Sequence, residues 1–329
     1  MIMDRNNDIK KNVLKDTYNA LMTSCTLCPR NCHADRTQDK LGFCGVGSDP
    51  VIARAALHMW EEPCISGQEG SGTVFFSGCN LGCVFCQNYD IAHRKMGKTI
   101  SIQRLSEIFL ELQEKKANNI NLVTPTHFVP QIIEALSTAK RNGLTIPIVY
   151  NSSGYESVET LKMLDGWIDV YLPDFKYFSS SLSSKYSQTS DYFEKASLAV
   201  AEMVQQTGKP LFHTKNGNFL TAEQYDDEAL IYKGTIVRHL LLPGCLEDSK
   251  SVIKYLYETF GDQIYISIMN QYTPLKQVAD IKELNRKVTA DEYEALVDYA
   301  ISLGVENGFI QEGDVAAESF IPDFDGSGI

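Results

Sequence analysis

The sequence lacks two features that would place it in common functional classes. None of its 329 residues belong to a run of about twenty apolar side chains, the length that a transmembrane helix requires. Positive charge is also scarce, since 30 Lys and Arg stand against 42 Asp and Glu, giving a formal net charge of −12. A surface that binds phosphate needs the opposite sign. We therefore expect neither a membrane protein nor a nucleic-acid-binding protein.

The chain also lacks the signs of a secreted, disulfide-bonded protein. Its first residues, MIMDRNND, are polar and contain no apolar signal-peptide core. The nine cysteines are an odd number, so any intramolecular pairing leaves one of them unpaired. Hydrophobic residues make up 43% of the chain, which is enough for a sizeable folded core. We expect a folded cytoplasmic protein whose cysteines bind metal.

Three of the cysteines lie close together in the segment SGCNLGCVFCQN, residues 77–88. Cys79, Cys83 and Cys86 have the spacing Cys-x3-Cys-x2-Cys. Three thiolates do not complete a closed tetrahedral zinc site. Three cysteines can, however, hold an iron–sulfur cube whose fourth iron stays open to a small molecule. Disulfide bonding and a zinc knuckle are the alternative interpretations of this segment.

This spacing resembles the cluster loop of radical S-adenosylmethionine (SAM) enzymes. The resemblance implies that Cys79, Cys83 and Cys86 hold a [4Fe–4S] cluster, which donates one electron to SAM. Cleavage of SAM then yields methionine and a 5′-deoxyadenosyl radical, which abstracts hydrogen from a substrate. The resemblance also implies a one-electron donor, for which a flavodoxin or a ferredoxin is the expected class.

Strands and helices alternate along most of the chain. Six parallel β/α units argue for a partial (β/α)6 barrel, the fold that radical SAM enzymes share. We expect three regions: a helix and Cys-rich extension (1–72), a radical SAM core (73–304) and a C-terminal tail (305–329), whose last stretch, Phe320 to Ile329, we expect to be poorly ordered. The predicted strands are 73–76, 121–124, 146–150, 168–172, 235–242 and 264–268. The predicted helices are 1–24, 101–117, 128–142, 156–164, 188–207, 248–260 and 289–303, with a loop-rich segment at 25–72 and a polar stretch at 213–230.

From Gly72 to Pro274, the order of the later motifs resembles pyruvate formate-lyase activating enzymes. In that family an Asp-x-Lys pair at the end of the fourth strand contacts SAM, and here it reads Asp174-Phe-Lys176. The activating enzymes also carry an Arg in a segment that ends in Pro-Gly. Here the segment reads VRHLLLPG and the Arg is Arg238, which we expect to face a carboxylate of SAM or substrate. An ordinary salt bridge at the end of the strand is the alternative for Asp174 and Lys176.

Polar residues after two other predicted strands are further candidates for the SAM site. Asn151 and Ser152 match the turn that the activating enzymes place after their third strand. Thr124 stands where those enzymes have Gly-Gly-Glu, whose carboxylate fixes the SAM amine. The sequence offers Thr124 as a source of oxygen there but no carboxylate, and a plain polar loop is the alternative at these positions.

A second set of cysteines lies in the N-terminal extension: Cys25, Cys28 and Cys32 in CTLCPRNC, then Cys44 in GFCG. Four thiolates in a glycine-bearing segment indicate a metal site with no open position. An auxiliary [4Fe–4S] cluster and a structural zinc both fit this pattern. A loop without metal is the alternative.

The sequence thus supports three functional hypotheses. The first is a radical SAM enzyme that activates a glycyl radical protein, which would make a protein its substrate. The second keeps the radical chemistry and changes the substrate to a small molecule or a peptide. The third is an electron-transfer iron–sulfur protein that does not cleave SAM.

Overall fold

A mixed sheet of ten strands organises the computed structural model, which describes residues 17–38, 40–214, 217–220, 228–311 and 322–329. The strands are β1 (Val51–His58), β2 (Ser71–Phe76), β3 (Lys98–Thr99), β4 (Ile120–Val123), β5 (Ile148–Ser152), β6 (Val170–Pro173), β7 (Leu211–His213), β8 (Leu230–Leu240), β9 (Tyr265–Met269) and β10 (Gly308–Ile310). Their order is β10-β9-β8-β6-β5-β4-β2-β1-β3, with β7 paired to β8 outside this path.

Seven of these strands run parallel, from β2 through β4, β5, β6, β8 and β9 to β10. The six predicted strands correspond to the first six of this series. Over the described residues the two ends of the path do not pair, so the sheet is not closed. The predicted fold class, a partial (β/α)6 barrel, is confirmed.

Helices connect the parallel strands, as the crossover rule for β/α units requires. The described helices are α1 (described over 17–23), α2 (Pro63–Ser66), α3 (Tyr89–Ala92), α4 (Ile102–Glu114), α5 (Val129–Arg141), α6 (Val158–Met163), α7 (Ser180–Ser187), α8 (Tyr192–Thr207), α9 (Leu246–Phe260) and α10 (Ala290–Leu303). Those from α3 onward lie between successive parallel strands, whereas α1 and α2 precede the first of them. Capping fixes several ends: the Ser101 hydroxyl accepts from Arg104 N at the start of α4, and Thr289 and Glu292 form a capping box on α10.

The predicted helix 188–207 begins later, at Tyr192, because the chain first forms α7 and then turns at Gln188 in a left-handed conformation. The predicted N-terminal helix is described only from residue 17. Ile9, Val13 and Leu14 lie outside the described residues. Half of the polar stretch 213–230, residues 215–216 and 221–227, also lies outside them.

The expectation of a loop-rich segment over 25–72 is wrong for residues 51–58. These residues form β1, which pairs antiparallel with β2 from Ile52 to His58. The sequence VIARAALH hides the strand because alanines replace the larger apolar residues that usually mark one face. The N-terminal extension therefore contributes a strand to the main sheet.

The expectation of a poorly ordered end is wrong for residues 322–329. Ala55 N donates to Ser327 O (2.9 Å) and Gly326 N donates to Ala53 O (3.1 Å), so this segment lies along β1. The Phe324 ring packs edge-on against Phe75, with 5.4 Å between centroids. Phe320 lies outside the described residues. The tail is held by a strand that the sequence did not reveal.

We searched the described helices for one long and apolar enough to cross a membrane and found none.

Candidate active site

A cavity of about 300 Å³ opens where the parallel strands end. In parallel β/α sheets, functional side chains gather at the carboxyl ends of strands. Each predicted SAM-site or cluster-loop residue lies in the wall of this one cavity: Cys79, Cys83, Cys86, Thr124, Asn151, Ser152, Asp174, Lys176 and Arg238. These residues come from the ends of five different strands. They are far apart in the sequence, and the fold brings them together.

The cluster loop, residues 77–88, follows β2 and presents its three thiols to the cavity. Leu81 N lies 3.3 Å from Cys79 Sγ, and the Ser187 hydroxyl donates to Cys83 Sγ at 3.0 Å. Burial raises the pKa of all three thiols, while the nearby Lys176 ammonium acts in the opposite direction. Donors directed at sulfur and a cation beside the loop favour the thiolate form, which is the form that binds metal.

Asp174 and Lys176 follow β6 and form an ion pair, with Lys176 Nζ 2.6 Å from Asp174 Oδ2. The other carboxylate oxygen accepts from Arg238 Nε at 2.9 Å. Burial alone would raise the pKa of Asp174, but Lys176 and Arg238 outweigh it and hold that pKa below its usual range. Burial alone would lower the pKa of Lys176, but Asp174 outweighs it and raises the pKa. Both groups therefore stay charged in the cavity wall.

The sequence analysis missed a carboxylate in this cavity, Glu61, which follows β1. Its Oε2 accepts from Arg238 at 3.0 Å, and its Oε1 accepts from the side-chain amides of Asn121 (3.1 Å) and Asn151 (3.3 Å). The carboxylates that Arg238 faces here are thus Glu61 and Asp174. No local signal marks Glu61, because it lies in the segment where the sequence predicts loops.

Thr124 and Ser152 lie at the ends of the neighbouring strands β4 and β5. Thr124 has φ of +57°, a left-handed conformation that is a true outlier for a β-branched residue. Its amide donates to Asn151 O at 2.9 Å, which ties the two strand ends together. Backbone strain of this kind is concentrated at functional sites. Thr124 therefore has a backbone conformation that glycine adopts without strain.

A buried carboxyl group, Glu156, lies behind this wall. Thr126 donates to its Oε1 at 2.8 Å, and the Tyr150 hydroxyl lies 3.2 Å from its Oε2. Burial raises the pKa of Glu156 to about 7, against the hydrogen bonds from Thr126, Ser152 and Tyr150, which lower it. The charge of Glu156 also reaches Cys28 of the N-terminal cysteine set and raises the pKa of that thiol.

The second cysteine set belongs to the N-terminal cysteine module, which we define as residues 25–47. Burial, followed by smaller effects that include the charges of Cys44 and Cys25, raises the pKa of Cys28 to about 12. Cys44 interacts in the same way with Cys25 and Cys32. The module therefore brings its four cysteines within electrostatic reach of one another. Among the residues that the structure describes, no group of three or more His, Cys, Asp or Glu side chains converges tightly enough for a single metal ion.

Residues 73–230 match the sequence model of the radical SAM superfamily. This segment contains the cluster loop, Thr124, Asn151, Ser152, Asp174 and Lys176. The match covers just under half of the chain, and the N-terminal cysteines, Glu61 and Arg238 lie outside it. An uncharacterized protein of Methanocaldococcus jannaschii is 28% identical over 307 residues, which cover 91% of this chain and 78% of that protein.

The chain is also similar to solved structures at low identity. Streptococcus suis SuiB bound to the precursor peptide SuiA is 12% identical, with 72% of this chain and 47% of that one covered at a TM-score of 0.46. The FeFe-hydrogenase maturase HydG of Carboxydothermus hydrogenoformans is 12% identical, covering 76% and 55% at 0.49. A domain of a pyruvate-formate lyase-activating enzyme of Bacteroides vulgatus is 12% identical, covering 56% and 91% at 0.38. The chain spans about half the length of the SuiB and HydG chains.

Proposed function

We propose that the protein is a radical SAM enzyme whose site is the cavity at the ends of the parallel strands. The observation that carries the proposal is that three thiols and an Asp174–Lys176–Arg238 ion network line the same cavity. Neither feature alone is specific. Together they combine ligands for a cluster with charged groups for an amino-acid moiety such as that of SAM.

The residues present fit a [4Fe–4S] cluster held by Cys79, Cys83 and Cys86. The three thiols are close enough to raise one another's pKa, and two of them already have hydrogen-bond donors at sulfur. Such donors are one of the means by which proteins tune iron–sulfur sites. When bound, the cluster would supply one electron to SAM and so produce a 5′-deoxyadenosyl radical that abstracts hydrogen from substrate.

The charged residues of the cavity would bind and orient SAM. Lys176, which Asp174 keeps protonated, is suited to the SAM carboxylate. Asn151, Ser152 and Thr124 would supply polar atoms at the adjacent strand ends. Glu61 and Asp174 are the two carboxylates of the wall, and each is already held by Arg238. The structure thus offers carboxylates for the SAM amine although the sequence has no Gly-Gly-Glu.

The rest of the cavity wall would exclude water. Leu81 and Phe85 of the cluster loop are both buried and line the cavity beside the thiols. A dry site strengthens every electrostatic interaction within it and protects a radical from side reactions. The Phe85 ring packs at a tilt against the ring of Tyr272, with 6.3 Å between the centroids. Tyr272 follows β9 and is itself buried.

The finer proposal is activation of a glycyl radical protein, with a backbone glycine as the hydrogen donor. It is supported by the order of the motifs from Gly72 to Pro274, which resembles the activating enzymes. We further propose a cytoplasmic protein, a flavodoxin or ferredoxin as electron donor, and a second [4Fe–4S] cluster or a zinc ion at Cys25, Cys28, Cys32 and Cys44. A small-molecule or peptide substrate is the second candidate, which the loss of Gly-Gly-Glu favours.

The proposal is tested by anaerobic reconstitution with iron and sulfide, followed by SAM and dithionite. We expect 5′-deoxyadenosine from the wild-type protein and none above background from Cys83→Ala. Cys245→Ala, at a cysteine outside both sets, is the matched control and should keep wild-type cleavage. If the wild-type protein carries a verified reduced cluster and still forms no 5′-deoxyadenosine, the electron-transfer hypothesis replaces this one.

The substrate class is tested by label transfer. A candidate glycyl radical protein is prepared with deuterated glycine and incubated with the enzyme, SAM and reductant. Deuterium in the 5′-deoxyadenosine indicates abstraction from glycine. Cleavage of SAM without label, and without an electron paramagnetic resonance signal on the partner, contradicts the activating role and leaves the small-molecule or peptide substrate.

A further inference from the structure

The N-terminal cysteine module packs directly against the cluster loop. A side-chain carbon added at Gly78 would lie 2.8 Å from Cys44 O and 2.7 Å from Val46 Cγ1. A carbon added at Gly82 would lie 3.2 Å from the Phe43 ring. Gly78 and Gly82 immediately precede Cys79 and Cys83, so the module contacts the loop at both of these ligand positions.

Arg30 forms the polar part of this contact. It lies between Cys28 and Cys32, and its guanidinium donates to four backbone carbonyls outside the module. Two belong to the cluster loop, Asn80 O at 2.9 Å and Leu81 O at 3.2 Å. The other two are Ser187 O at 3.1 Å and Gln188 O at 2.6 Å, at the end of α7. Four bonds use most of the N–H donors that a guanidinium has.

The same guanidinium is also fixed in orientation by aromatic rings. Its carbon lies 3.9 Å from the centroid of Phe43 and 5.5 Å from that of Tyr155. Phe43 comes from the module and Tyr155 from the core, so Arg30 is held between the two. A planar cation stacked in this way loses little freedom for each hydrogen bond that it forms.

The contact reaches a cysteine sulfur through a single residue. The Ser187 carbonyl accepts a hydrogen bond from Arg30, and the Ser187 hydroxyl donates to Cys83 Sγ at 3.0 Å. The Tyr177 hydroxyl lies 2.7 Å from the same Ser187 oxygen. A shift of Arg30 would therefore move both the backbone between Cys79 and Cys83 and a hydrogen bond at Cys83.

We propose that Arg30 is a positioning residue through which the N-terminal cysteine module fixes the geometry and the electrostatic surroundings of the cluster loop. The part concerning the cluster rests on the proposed function, whereas the coupling of the two loops does not. The positive charge of Arg30 stabilises the more negative, reduced state of a group bound at Cys79 and Cys83, because reduction adds negative charge nearby. Its hydrogen bonds hold the 79–83 backbone in one conformation.

The test separates the charge of Arg30 from its hydrogen-bonding geometry. Arg30→Lys keeps the charge and loses the fork of donors, whereas Arg30→Gln loses both. Arg141→Gln, at an exposed arginine at the end of α5, is the matched control. Hydrogen exchange of amides 79–88 is measured on metal-free and on reconstituted protein, and the midpoint potential of the cluster by redox titration.

We expect amide exchange at 79–83 to be about tenfold faster in both Arg30 variants, as for the loss of charge-assisted hydrogen bonds worth about 1.4 kcal/mol. The midpoint potential should fall in Arg30→Gln and stay close to the wild-type value in Arg30→Lys. Arg141→Gln should change neither. Circular dichroism and thermal melting show whether each variant is folded. If Arg30→Gln does not fold, Phe43→Ala removes the stacking ring and the Gly82 contact and should give the same faster exchange.

The outcomes for this proposal and for the proposed function are distinct. Unchanged exchange at 79–83 in both Arg30 variants overturns the coupling, whatever happens to SAM cleavage. An unchanged potential in Arg30→Gln, with exchange altered, overturns the electrostatic part alone. Faster exchange in a protein that never cleaves SAM supports the coupling and contradicts the proposed function.

Discussion

The two cysteine sets of this chain use the same kinds of residue in very different surroundings. The cluster loop ends a buried parallel strand and turns three thiols into a cavity lined by Asp174, Lys176 and Arg238. The N-terminal cysteine module has four cysteines, of which Cys32 is exposed, and it packs against the back of the cluster loop. In the proposed function, three cysteines beside a cavity leave a position for a small molecule, whereas four cysteines leave none. The proposed difference in role therefore rests on position in the fold more than on residue type.

A cation acts on each cysteine set, but the hydrogen-bond partners of these cations differ. A Lys176 ammonium acts on Cys79, Cys83 and Cys86, against the effect of burial. The corresponding cations of the module, Arg30 and Arg36, direct their donors at backbone carbonyls. Arg36 is buried and donates to Gly47 O and His127 O. Arg36 thus holds loops together and also lowers the pKa of the Cys44 thiol against the effect of burial, as Lys176 does for the three thiols of the cavity.

The largest effect should come from exchanging one ligand in each set. We expect Cys86→Ser to reduce SAM cleavage to the level without enzyme, because two thiols cannot hold the proposed cluster. Cys44→Ser should lower cleavage by about ten- to a hundredfold, as for a group that supports a metal site from outside its ligands. Formation of 5′-deoxyadenosine and the contents of iron and zinc per chain are measured on both variants after the same reconstitution.

Equal losses of SAM cleavage in Cys86→Ser and Cys44→Ser would contradict the proposed difference between the two cysteine sets. They would mean that the module takes part in the reaction itself and does not only support the cluster loop. Full activity of Cys44→Ser, with the contents of both iron and zinc per chain unchanged, would instead remove the proposed second metal site.

The cavity was largely predictable from the sequence, since each predicted residue lies near the carboxyl end of a strand or in the loop that follows it. Asp174, Asn151 and Thr124 are brought together by a general property of parallel sheets, so local motifs and strand order suffice to place them. Glu61 could not be found in this way. It follows an antiparallel strand rich in alanine, and its partner Arg238 is 177 residues away along the chain. The packing role of Gly78 and Gly82 was hidden as well, since only the fold shows that a side-chain carbon there would meet Val46 or Phe43.

The contact between the two cysteine sets was equally hidden. Arg30 stands in a conspicuous CPRNC motif, yet its acceptors at Asn80 and Gln188 are 50 and 158 residues away. Hydrogen bonds to backbone carbonyls leave no signature in the side chains of the acceptors. Such tertiary contacts depend on where whole elements pack, which a single sequence does not encode locally.

A smaller effect is expected at Glu156, the buried carboxyl group behind the cavity wall, whose charge reaches Cys28. Its pKa is raised from 4.5 to about 7 in the folded protein. Below pH 4.5 the group is protonated in the folded and the unfolded chain. As the pH rises through 7, Glu156 loses its proton in the folded chain. The free energy of unfolding then falls by up to about 3 kcal/mol, because burial favours the protonated form.

Glu156→Gln removes this titration. We expect the stability of the variant to vary less than that of the wild type between about pH 5 and about pH 8, measured by urea unfolding at equal metal content. Glu159→Gln, at an exposed carboxylate of α6, is the control and should keep the wild-type slope. A slope that is the same in Glu156→Gln and in the wild type would show that Glu156 stays ionised in the folded protein.

The smallest effect is expected from relieving backbone strain, which we compare between the cavity wall and the N-terminal cysteine module. The module also has left-handed residues, Asn31 at φ +43° and His33 at φ +51°, but these are residue types that adopt this conformation more readily. Thr124, at φ +57° in the cavity wall, is β-branched and does not. Thr124→Gly should relieve strain of about 1–2 kcal/mol, part of which the greater freedom of the unfolded glycine offsets. We therefore expect a slightly higher melting temperature together with weaker SAM binding, because the side-chain oxygen is lost.

Two companion variants separate these effects at Thr124. Thr124→Ala removes the hydroxyl and keeps a side chain in the left-handed conformation, so it should weaken SAM binding without raising the melting temperature. Asn31→Gly should leave both quantities near their wild-type values. Melting temperature is followed by circular dichroism and SAM binding by equilibrium dialysis on reconstituted protein. A Thr124→Gly variant that melts well below Asn31→Gly would mean that the Thr124 side chain stabilises the turn more than its backbone strains it, and the strained position would then belong to the fold and not to the site.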